Sequence, residues 1–131
     1  MSTDRRSVTA PDAPAAIGPY VHAVAAQGLL FVSGQIPLDA ASGEVVGESA
    51  GEQAEQALKN LEAVVRAAGG SLRDVVRTTV FLTDMGTFKE VNEVYARFFS
   101  EEPPARAAIA VAGLPLGVRV EIDAIVALPQ G

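Results

Sequence analysis

The 131-residue chain has no cysteine and no tryptophan, and it has a single histidine. Without cysteine, disulfides, thiolate nucleophiles and sulfur-ligated metals are excluded. One histidine, His22, excludes a multi-histidine metal site within one chain. Aromatic residues make up only 5% of a composition that is 49% hydrophobic, so the core has to be assembled from Ala, Val, Leu and Ile. That much small aliphatic surface on so short a chain points to cover by other subunits. A run of about twenty apolar residues, the length that crosses a bilayer, is also missing. The longest nearly apolar stretch, AAIAVAGLPLGV, is shorter and is broken by Gly and Pro.

Positive charge is scarce as well. Ten Lys and Arg face sixteen Asp and Glu, for a formal net charge of −6. The basic residues are dispersed, with Arg5-Arg6 the closest grouping, so nucleic acid and anionic membrane are not expected partners. The opening stretch MSTDRRSVTAPDAPAAIGPY lacks the apolar core of a secretory leader. The expectation is a soluble cytoplasmic protein of one domain, residues 1–131.

What is present is a clear alternation of periods. Residues 1–18 read as a polar, Ala- and Pro-rich lead-in. YVHAVAAQGLLFVSG predicts two short strands, about 19–25 and 29–33, turning through Gln27-Gly28. Residues 35–49 are loop-like. Over 51–70, Ala54, Ala57, Leu58, Leu61, Val64, Val65 and Ala68 recur at helical spacing, and Gly69-Gly70 stops the helix. DVVRTTVFLTD (74–84) reads as a strand apolar on both sides, hence central. A second amphipathic helix spans about 87–100, on Phe88, Val91, Val94, Tyr95 and Phe98. Pro103-Pro104 then launches a strand near Arg106, Gly113–Gly117 connects, and a last strand runs over about 118–128. The order β-β-α-β-α-β-β predicts an α+β fold with both helices on one face of a mixed sheet.

Two charges interrupt these apolar strands. Arg106 is followed by six apolar residues, and a guanidinium at a strand entrance needs a partner. That partner is a protein carboxylate, in a structural ion pair or an interface, or else a ligand carboxylate or phosphate. Glu121 lies in VRVEIDA, where apolar and charged residues alternate as on a half-wetted strand. It is either a surface charge or, if that polar face lines a subunit cleft, an acid or base beside Arg106. Tyr20, Ser33 and Asn92 are further polar candidates, each with an ordinary rim, turn or solvated reading. Tyr20 and His22 share one strand face by their spacing, and His22, with no nucleophile to pair with, reads as exposed.

Taken together, PARAAIAVAGLPLGVRVEID resembles the signature of the RidA/YjgF family of reactive intermediate deaminases. APAAIGPYVHAV, LFVSGQIPLDAASGEVVG, EQAEQALKNLEAVVRAAGGSLRDVVRTTVFLTDM and FKEVNEVYARFF extend the resemblance over nearly the whole chain. The resemblance implies a chorismate-mutase-like β-β-α-β-α-β fold. It also implies a homotrimer built around a central barrel, with active sites in the clefts between subunits. The implied reaction is hydrolysis of 2-imino acids such as 2-iminopropanoate and 2-iminobutanoate, and their enamine tautomers, to 2-oxo acids and ammonia. No cofactor and no metal are implied. By position, Arg106 corresponds to the carboxylate clamp and Glu121 to the residue that positions or activates water. Tyr20, Ser33 and Asn92 correspond to site residues, and Gly34 and Ala108 line the site. Ala108 departs from the cysteine that many deaminases of the family carry there. A non-catalytic binder of 2-oxo acids is the alternative function. An RNA-cleaving role, attached to some relatives, is opposed by the acidic charge, the sparse aromatics and the lone His22.

Overall fold

The structure, a computed structural model, describes residues 4–129. A six-stranded sheet is covered on one face by two helices. Its strands are β1 (Arg6–Val8), β2 (Ala23–Ala26), β3 (Leu29–Gln35), β4 (Val75–Leu82), β5 (Ala105–Ala110) and β6 (Val120–Ala127); the helices are α1 (Ala50–Ala67) and α2 (Phe88–Phe98). Spatial order across the sheet is β1-β2-β3-β6-β4-β5. Only β4 and β5 pair in parallel, because α2 carries the chain back between them; the other neighbours are antiparallel. The α+β reading stands.

The two-residue hairpin at Gln27-Gly28 has φ of 54° and 76°. Two left-handed residues match the right-handed twist of the flanking strands, which is why so short a loop closes. The polar lead-in, in contrast, supplies β1, an edge strand whose alternation is too short to read from sequence. Helix α1 starts at a reciprocal capping box: the Glu52 N–H donates to Ser49 Oγ at 3.1 Å and the Ser49 N–H to Glu52 Oε1 at 3.1 Å. Those N–H groups of Ser49, first, and Glu48 hold the Glu52 carboxyl below its ordinary range. Ala54, Ala57, Leu58, Leu61, Val64 and Val65 are then fully buried against the sheet. Each of the larger ones contributes about 1.5–3 kcal/mol of apolar transfer free energy.

Strand register explains where the core ends. One row of cross-strand partners runs Arg106, Thr78, Ala124, Val32, Ala23, Val8 from β5 to β1. All but Arg106 are buried, so this row faces the helices and the arginine sits at its open end, on an edge strand. A row three residues further along β4, on the opposite face, places Ile109, Phe81 and Glu121 side by side. Strand β4 is central, as predicted, but only one of its faces is closed by the helices. The other belongs to an open sheet face on which Phe31 is 45% and Ile109 43% exposed. Among the described residues no helix is long and apolar enough to cross a membrane.

Candidate active site

The seven site residues singled out from sequence separate into two groups on opposite faces of the sheet. The first group lines a pocket of about 460 Å³ with Tyr20, Ser33, Gly34 and Glu121, walled by Ile17, Ile36, Pro115 and Leu116. A register shift between Val32 and Gln35 puts a bulge at Ser33-Gly34, a device that re-aims side chains beside sites. Ser33 is fixed there twice. Its N–H donates to the His22 carbonyl at 2.9 Å, and its hydroxyl donates to the Val21 carbonyl at 2.7 Å. With its proton engaged, the Ser33 oxygen is left as an acceptor. Gly34 is required by proximity rather than by backbone angle: a Cβ added there would run into the Glu121 carboxylate.

Glu121 projects from β6 between buried Val120 and Ile122 and is half-buried. Burial raises its pKa above the ordinary carboxylate value, and the neighbouring Asp123 charge adds to the rise. Within one protomer Arg106 faces the other side of the sheet, and the influences acting on this group are the raising ones. A carboxyl tuned upward can both hold and release a proton nearer neutrality, as an acid–base catalyst must.

The second group is Arg106, Asn92 and Ala108. Arg106 stacks over the rings of Tyr95 and Phe88, with its guanidinium carbon 4.8 and 5.3 Å from the two centroids. One terminal N–H donates to Asn92 Oδ1 at 2.7 Å. Ala108, two residues on, faces the same side through its pairing with buried Val80. Below the arginine, Tyr95 shares a 2.7 Å hydrogen bond with the fully buried Thr78 hydroxyl. Burial pushes the Tyr95 phenol up, against smaller lowering influences from Thr78 and Arg106. Among the described residues no carboxylate pairs with Arg106. The structural ion pair is therefore not what holds it, and most of its donor fork faces outward.

Within one chain β5 and β6 present Arg106 and Glu121 to opposite faces of the sheet. Two sequence expectations are corrected. Tyr20 and His22 do not share a strand face: β2 begins only at Ala23, Tyr20 is 49% exposed, and His22 is buried at 4%. His22 is thus not the exposed residue expected. The apolar wall of Ile17, Ile36 and Leu116 went unread. Its one sequence signal is GLPLG, where Leu116 is forced to φ 57° between Pro115 and Gly117 and stands 63% exposed. A left-handed leucine costs about 1–2 kcal/mol, and here it supplies a pocket wall.

The chain is similar to known proteins over most of its length. A family model described as Endoribonuclease L-PSP matches residues 10–128. A mouse protein named 2-iminobutanoate/2-iminopropanoate deaminase is 50% identical over 121 residues, 92% of this chain and 90% of its own length. The crystal structure of RidA from the Antarctic bacterium Psychrobacter sp. PAMC 21119 superposes with a TM-score of 0.90 at 43% identity, covering 94% of this chain and 99% of that one. Escherichia coli TdcF with bound serine superposes with a TM-score of 0.89 at 41% identity, covering 95% and 99%. Since the match runs through both halves of the site as well as the sheet that separates them, the chain belongs to the RidA/YjgF/RutC family.

Proposed function

We propose that this protein hydrolyses 2-imino and 2-enamino acids, such as 2-iminopropanoate and 2-iminobutanoate, to 2-oxo acids and ammonia. The observation that carries the reading is the pairing of two incomplete half-sites. One is an arginine fork with no carboxylate partner among the described residues, and the other a carboxyl of raised pKa in an apolar-walled pocket. Because the sheet stands between them, they can act on one small molecule only if Arg106 of one subunit meets Glu121 of another. A homotrimer with the open sheet faces turned inward, the assembly the family resemblance implies, would bring the two edges together and cover Phe31 and Ile109.

In such a cleft Arg106, held by Asn92 and its ring floor, grips the substrate carboxylate by two parallel charge-assisted hydrogen bonds. Water adds to C2 of the C=N bond as Glu121 accepts its proton. The imine nitrogen takes up a proton from solvent and becomes an amine, giving a carbinolamine. Glu121 returns its proton to that nitrogen, the C–N bond breaks, and the C–OH proton passes to solvent as the C=O bond forms. The sum is one imine and one water consumed, one 2-oxo acid and one ammonia released. Imines hydrolyse readily in water, so acid–base help of roughly 10²–10⁴-fold with orientation suffices. The name of the mouse relative and the serine on TdcF both suit a small amino-acid-derived anion. Ala108 removes any thiol from this chemistry without removing a group the hydrolysis uses.

The endoribonuclease description of the family is less suited to this chain. Its net charge is −6, and both ring nitrogens of its one histidine are occupied by backbone partners. The deciding test is 2-oxo acid release from 2-iminopropanoate generated in situ from alanine by an amino-acid oxidase. Acceleration over buffer that Arg106→Ala abolishes supports the reading. A rate equal to buffer, with calorimetric binding of 2-oxobutanoate, would instead make the protein a carboxylate binder.

A further inference from the structure

His22 has no place in the chemistry above, yet both of its ring nitrogens are engaged beside the pocket. It is buried at 4%. The Ala10 N–H donates to its Nδ1 at 2.9 Å, and Nε2 lies 2.7 Å from the Pro14 carbonyl oxygen. Since Nδ1 must accept, the neutral ring carries its proton on Nε2 and donates it to Pro14. One imidazole thus grips both ends of the turn 10–14, which the Ala13 N–H to Ala10 carbonyl bond of 3.3 Å tightens. The chain leaving that turn forms the pocket wall. Ile17 and Tyr20 line it, joined by the Ile17 N–H to Tyr20 hydroxyl bond of 3.3 Å, and Gly18 supplies φ 125° between them. The His22 carbonyl meanwhile accepts from the Ser33 N–H in the bulge. His22 also lines a small cleft directly behind Tyr20, shared with Gly34 and Ile36.

We propose that His22 is a positioning residue that clasps the Tyr20-bearing wall to the Ser33-Gly34 bulge, and that its protonation releases this wall. A second proton on the ring would set an Nδ1–H against the Ala10 N–H, turning an attraction into a clash of two donors. The buried Ala10 N–H would then have no acceptor. The titratable groups around His22 are few. Tyr20 lies on its own segment and in the same cleft. Asp12 is exposed on the clasped turn and faces Lys59, Glu62 and Arg66 of α1 across a surface groove. Strand β3 offers only the neutral Ser33 and Gln35, and Glu121 of β6 opens into the pocket beyond Gly34.

The activity arm of the test rests on the deaminase reading; a second arm does not. His22→Leu keeps the volume but neither hydrogen bond, whereas His22→Gln can accept from Ala10, donate to Pro14, and does not titrate. The expected result for His22→Leu is a KM for imine raised about tenfold, with kcat changed less, and faster amide hydrogen exchange over residues 10–20. His22→Gln restores both. On acidification the exchange of residues 10–20 and KM rise in the wild type and not in His22→Gln, a comparison that stands even if His22→Leu does not fold. Superimposable acid profiles of wild type and His22→Gln would overturn the proposal. So would unaltered KM and exchange in a folded His22→Leu. If the wild type turns over no imine, the deaminase reading falls, and exchange together with calorimetric affinity for 2-oxobutanoate judges the clasp in place of KM.

Discussion

Placing Arg106 and Glu121 on opposite sheet faces makes a quantitative prediction about mixtures of defective chains. Arg106→Ala removes the fork, and Glu121→Gln removes the titrating carboxyl while keeping its volume. Each variant alone should fall about 10²–10⁴-fold in kcat/KM, the range that positioned acid–base help supplies. Suppose each cleft takes its arginine from one subunit and its glutamate from the next. In a closed ring assembled at random from equal amounts of the two variants, half the arginine positions and half the glutamate positions are intact. About a quarter of the clefts are then complete, whatever the number of subunits. The assay is imine hydrolysis after co-refolding the two variants, read against each refolded alone. Recovery to about one quarter of the wild-type rate is expected. A double variant co-refolded with wild type supplies the control: paired half-sites again leave about a quarter of clefts active, whereas sites within single chains would leave about half. A mixture of single variants no more active than its parents, with half activity in the control, would refute the reasoning.

Further expectations concern single groups. The folded-state pKa of Glu121 lies above its ordinary value of 4.5, so ionising it opposes folding. The native state holds the proton that the unfolded chain has lost, and stability falls as pH rises through this interval. In the separated protomer, away from a neighbouring subunit's Arg106, Glu121→Gln should therefore melt higher than wild type at pH 7, with the gap closing as pH falls below about 4.5, measured by thermal denaturation. Gly34→Ala has no positive φ to violate, but its methyl group meets the Glu121 carboxylate, a movable side-chain end. It should fold with little loss of Tm yet lose about 10²-fold or more in kcat by displacing the carboxylate. Tyr95→Phe strands the fully buried Thr78 hydroxyl and should cost about 1–3 kcal/mol in urea denaturation. Ser49→Ala breaks the capping box of α1 and should cost about 1 kcal/mol by the same measurement.

Period and punctuation were enough to find both helices and the strands from β2 to β6. The α1 stripe from Ala54 to Val65 and the β-branched run of β4 each have one stable placement, because helix and strand bury different sets of residues from the same sequence. Gln27-Gly28 and Pro103-Pro104 are local signals that act through a few backbone angles. Strand β1 escaped because three residues carry no period. His22 escaped because burial of a polar ring depends on acceptors and donors that residues 10 and 14 bring from across a turn.

An aliphatic, cysteine-free α+β domain follows from the order of residues alone, and the separated motifs from Tyr20 to Glu121 identified the residue types available to a site. Which of them meet depends on how the sheet packs. Strand order, a bulge at Ser33-Gly34 and the side of the sheet each strand turns outward placed Arg106 with Asn92, and Glu121 with Tyr20 and Ser33. A strand tells which residues share its face, but which face the helices cover, and therefore which charges share a pocket, is fixed only when the whole sheet is packed.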